Sequence, residues 1–81
     1  MDAADNPTAA LRDELQVLED ELAQLRQATA DLRRRIGERW DDPTDSAERA
    51  ALITTAEEQE ALIQVLEARR EGLLRRLDEQ G

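Results

Sequence analysis

The chain has 81 residues with 40% apolar and 38% charged side chains, a net charge of -9, and neither Cys nor His. That excludes disulfides, thiolate and imidazole metal sites, Cys and His nucleophiles and His general bases, and with them most enzyme chemistry. The length rules out two domains, and the charge opposes binding to DNA, RNA or anionic lipid, whose affinity comes largely from neutralised phosphates.

Trp40 is the only aromatic residue, so a core must be built from Leu, Ile, Val and Ala. Together with abundant Glu, Gln and Arg, this is the composition of long helices or coiled coils rather than of sheets or disordered tails. No apolar run approaches the roughly 20 residues needed to span a bilayer, and residues 1–10 lack the basic and apolar regions of a signal peptide. The expectation is a cytoplasmic protein.

The fold expected is all-α: an antiparallel two-helix coiled-coil hairpin in one domain. Residues 1–6 read as a disordered N-terminus, and Asn6 before Pro7 reads as an N-cap with Pro at the first helical position. Helix one is expected over 7–40. Its seam is Leu11, Leu15, Leu18, Leu22, Leu25, Thr29, Leu32 and Ile36, in alternating steps of four and three, a heptad pattern. Gly37 weakens this helix.

Residues 41–45 form an acidic turn, since Pro43 cannot donate into a preceding helical turn and disfavours helix in the residue before it. Helix two is expected over 46–79, opened by a capping box of Asp45 and Glu48. Its seam is Leu52, Ala56, Gln59, Ile63, Leu66, Arg70, Leu73 and Leu77. The seams are mirror images: folding about Thr44 pairs Ile36 with Leu52, Leu25 with Ile63 and Leu11 with Leu77.

In that register Thr29 meets Gln59, a polar layer that penalises slipped alignments. Arg70, opposite Leu18, can lay its aliphatic stem on the leucine while its guanidinium reaches Glu19 or Glu67. Helices of about 33 residues make a rod of roughly 50 Å. Helix two carries Ile53, Leu62, Val65 and Leu74 off the seam, an apolar face wider than one helix covers, so self-association into a four-helix arrangement, a homodimer, or docking on another protein is expected.

The turn carries Asp42, Pro43, Asp45 and Ala47. These residues, followed by the Ala-, Glu-, Leu- and Arg-rich run from Glu48 to Asp78, resemble the coiled coil of the DksA/TraR family of bacterial regulators, whose tip reads Asp-x-x-Asp-x-Ala. The resemblance implies a hairpin inserted into the secondary channel of RNA polymerase, with Asp42, Asp45 and Ala47 touching the enzyme near its catalytic centre and no chemistry of their own. The zinc-type Cys segment that follows in that family is not matched here. The plainer reading of the same residues is that Asp42 or Asp45 caps helix two and Pro43 stops helix one.

Arg33, Arg34, Arg35 and Arg39 make a basic patch below the tip. Without aromatic residues for base stacking it is a poor nucleic-acid site, and pairing with acids of the hairpin or of a protein partner is the expected role, contact with an acidic polymerase rim being an alternative. Trp40 either closes the turn over the end of the seam or anchors a partner. Asp41, Asp42 and Asp45 lack the cleft, nucleophile or phosphate loop of a catalytic site. The function expected is therefore a non-enzymatic, protein-binding regulator without cofactor or metal, acting either by its tip on RNA polymerase or, as an oligomeric coiled-coil adaptor or sequestering protein, by its faces, where Leu62 and Val65 lie.

Overall fold

The computed structural model describes residues 7–38 and 46–80, and all of them are helical. Helix α1 spans Pro7–Glu38 and α2 spans Ser46–Gln80. Pro7 opens α1, where its fixed φ and missing N–H cost nothing. Arg35 lies in the last turn of α1 and Glu48 in the first of α2, each on the side favoured by the helix dipole. Helix α2 runs one residue beyond the expected 79. The expected disordered N-terminus, the end of helix one at 39–40 and the acidic turn at 41–45 lie outside the described residues.

Gly37 does not end α1. It sits inside the helix with a negative φ, and a methyl group there would meet nothing within 4 Å. The propensity cost of one glycine, about 1 kcal/mol, is smaller than what the neighbouring Ile36 gains by burial at 7% exposure.

The helices pack on each other along the predicted seam. Leu11, Leu18, Leu22, Thr29 and Ile36 of α1 are buried, as are Ala56 and Leu73 of α2, and every other seam position is at least half-buried. At one end Leu11, Leu18 and Leu73 form a buried cluster, with Leu15, Leu66 and Leu77 against it. The register is fixed by Thr29, whose hydroxyl lies 2.9 Å from the Gln59 side-chain oxygen and 2.8 Å from the Leu25 carbonyl. A hydroxyl has one proton and donates to one of these at a time. Turning the Gln59 amide over lets its NH2 donate to Thr29 and satisfies both. Thr29 and Gln59 therefore share a level along the rod, as the mirror symmetry requires. The molecule measures 64 × 17 × 15 Å.

Candidate functional site: two unlike flanks

A two-helix seam leaves two flanks, and here they differ. On the first, the residues one step past the seam leucines of α1 meet their counterparts on α2. Arg26 Nη2 donates to Glu67 Oε2 at 2.9 Å, and Arg33 donates through Nη2 and Nε to both carboxylate oxygens of Glu60, at 2.6 and 3.1 Å. The bidentate geometry raises the Arg33 pKa and holds the Glu60 carboxyl below its ordinary value, the hydrogen bond being the largest cause in each case. Arg70 reaches Glu19 on this flank, Nε to Oε2 at 3.8 Å. Of its two expected partners it takes Glu19, because Arg26 already holds Glu67.

The second flank is open. Its one cross-helix ion pair is Arg69 with Glu14 at 3.3 Å, among those of the described residues. Two adjoining depressions run along it. One is lined by Glu14, Val17, Leu18, Glu21 and Arg69, the other by Glu21, Gln24, Leu25, Ala28, Leu62 and Leu66. Val17 is 58% exposed, Leu62 48% and Val65, one helical turn from Leu62, 62%. Seam leucines 18, 25 and 66 form the floor of these depressions, so apolar side chains are continuous from core to surface.

This alters the expected apolar face in two ways. Leu62 and Val65 are where the sequence put them, but Ile53 and Leu74 fall on the other side of α2, where Ile53 is half-buried and Leu74 is 38% exposed. The strip instead recruits Val17 from α1, which sequence reasoning missed. Val17 is the one large apolar residue of α1 off the seam, and its position two steps past Leu15 was the available signal.

Of the expected basic patch, Arg33 is paired across the seam and Arg34 lies 3.3 Å from Asp31 and 3.8 Å from Glu38, both on its own helix. Arg35 is exposed on the open flank. Ala47 is exposed in the first turn of α2. Arg39, Trp40, Asp42 and Asp45 lie outside the described residues, as do Asp41 and Pro43. Among the described residues no group of acidic side chains is arranged to hold a metal ion, and no helix is long and apolar enough to cross a membrane.

Comparison with models of protein families, with curated proteins and with solved structures finds no match.

Proposed function

We propose that this chain is a non-enzymatic protein-binding adaptor, a coiled-coil hairpin whose recognition surface is the open flank. The observation that carries this is the uncovered strip of Val17, Leu62 and Val65, continuous with the seam and set against a flank whose counterpart is closed by ion pairs. Apolar side chains so connected mark a surface made to be covered by protein, and the acidic balance of the chain argues against nucleic acid or anionic lipid in that place. Sequestration of a transcription regulator such as a sigma factor would use this surface, and no cofactor is needed for it. Replacing Leu62 and Val65 by Gln should abolish protein binding with helicity kept, while Asp42→Asn with Asp45→Asn should have no effect.

The tip reading draws support from the shape: a rod 64 Å long and 17 Å across is slender enough to reach a recessed site such as a channel of RNA polymerase. For that function the outcome reverses. Asp42→Asn with Asp45→Asn would remove an effect on transcription by purified polymerase, and the flank substitutions would leave it.

A further inference from the structure

We propose that the occupant of the open flank is a second copy of this chain, stacked face to face about a two-fold axis parallel to the rod, so that both hairpins point the same way. This rests on the adaptor reading above and specifies its first partner.

Three observations lead to it. The first is position and size. The strip lies at the middle of the rod: Leu62 is level with Arg26 and Val65 with Ala23 in the register set by Thr29 and Gln59, and α1 runs from Pro7 to Glu38. Two copies stacked on their strips therefore overlap over their whole length. A face about 48 Å long, from 32 residues at about 1.5 Å each, and 17 Å wide covers about 800 Å², which is what one partner contributes to a stable interface.

The second is charge. On the open flank α1 carries Glu14, Glu21, Asp31 and Arg35 between residues 14 and 35, and α2 carries Glu58, Arg69 and Arg76 between residues 58 and 76. A two-fold axis across the rod would lay α1 on its own copy and so keep Glu14 and Glu21 away from Arg69 and Arg76 of the second copy. An axis along the rod lays α1 on α2 of the second copy at unchanged level. Arg69, level with Glu19 and held at 3.3 Å by Glu14 of its own hairpin, then also comes beside Glu21 of the second copy, and Arg76, level with Arg12, beside Glu14. Asp31 meets Glu58, but Asp31 is already held by Arg34 at 3.3 Å and by the Gln27 amide at 3.1 Å.

The third is shape. In the same arrangement Leu62 enters the space between Gln24 and Ala28 of the second copy, and Val17 faces Gly72, where the missing side chain leaves room. Gly72 has a negative φ, and a methyl group would meet only the tip of Arg75 at 4.0 Å, so neither backbone conformation nor packing within one hairpin accounts for a glycine in mid-helix. The assembly is a four-helix bundle.

The test uses the full chain. Sedimentation equilibrium should give a dimer at micromolar concentration, and Leu62→Gln with Val65→Gln should weaken it by about 100-fold or more, the loss being repeated in both copies. Leu74→Gln, on the opposite flank, should leave it unchanged. Because the chain has no Cys, Ser46→Cys carries a single spin label on an exposed site. Electron–electron distances below about 30 Å fit parallel hairpins, and about 50 Å or more would mean opposed ones, from the rise of about 1.5 Å per residue. That measurement keeps the proposal open to refutation even if the Gln variant unfolds. A monomer, a long distance, or a dimer that survives the Gln substitutions overturns it. A monomer whose flank still binds another protein in a Leu62- and Val65-dependent way sinks this inference alone and leaves the adaptor reading standing.

Discussion

The two flanks of this hairpin start from the same backbone geometry and end with opposite chemistry. On the closed flank, arginines 26 and 33 of α1 meet glutamates 67 and 60 of α2, and their long stems lie over the seam while their heads pair in solvent. On the open flank, the place of the second arginine is taken by Ala28 and that of a facing acid by Leu62. Salt bridges between exposed side chains contribute little to stability, so the closed flank is not there mainly to hold the fold. It sets ion pairs along the middle of one side of the rod, where Leu74 is the exposed apolar residue, and leaves Val17, Leu62 and Val65 uncovered on the other.

If that division of labour is right, damage to the seam should reach both flanks and damage to a flank should stay local. The largest effect is expected at Leu22, the one large side chain at 1% exposure. Leu22→Ala should cost about 3 kcal/mol, the usual range for a buried leucine that leaves a cavity. In a rod with so little core this is a large part of the total, and thermal unfolding followed by circular dichroism should show a drop in midpoint well beyond 10 °C, by the usual conversion of about 4–8 °C per kcal/mol. A small shift would mean that another chain supplies most of the stability.

Next comes the polar layer. Thr29→Val with Gln59→Leu removes the polar pair of the seam, a buried Thr29 on a half-buried Gln59, and the double variant should be more stable by about 1–2 kcal/mol, as when a buried polar contact gives way to well-packed apolar groups. The expected loss is in uniqueness. Cross-linking or labelled-distance measurements should reveal alternative alignments that the parent does not populate, because the neighbouring layers of Leu25 with Ile63 and Leu22 with Leu66 are nearly equivalent.

The two helical glycines compare the flanks more finely. Gly37→Ala should raise stability by about 1 kcal/mol at every protein concentration, since its methyl meets open space. Gly72→Ala should give a similar gain at high dilution but a smaller gain, or a loss, at concentrations where chains associate, because Gly72 lies on the open flank. Equal gains at both sites under all conditions would remove the argument that Gly72 makes room for Val17 of a second copy.

The seam, the register and the helix starts were legible in the sequence because each is a matter of spacing. Steps of four and three fix which residues face each other, and a lone Thr opposite a lone Gln fixes the alignment. What spacing along one helix does not reveal is the sharing of a surface between two. Leu62, Val65, Ile53 and Leu74 looked like one broad face of α2 until the position of α1 divided them into two sides, and Val17, isolated in its own helix, gained meaning only from Leu62 across the groove. Ion-pair partners were legible only in part, because each choice depends on the others: Arg26 occupies Glu67, and so Arg70 turns to Glu19.

The smallest expected effect isolates the closed flank. The carboxyl of Glu60 titrates below its ordinary value of 4.5 because Arg33 donates two hydrogen bonds to the charged form. A carboxylate with a depressed folded-state pKa contributes stability that is fully present above the unfolded value and disappears as pH falls through the folded one. Lowering the pH from about 6 to about 3, a range that brackets an ordinary carboxyl, should therefore remove a contribution from the parent that Glu60→Gln never had. The difference in unfolding midpoint between the two should narrow steadily over that interval, with the parent ahead at the upper end, and the change should be smaller in high salt, since both partners are solvent-exposed. The comparison is made at a concentration where the chain is monomeric, so that association does not enter it. A Glu60→Gln difference that stays constant from about pH 6 to about pH 3 would show that the Arg33–Glu60 pair gives the closed flank its polarity without adding to its stability.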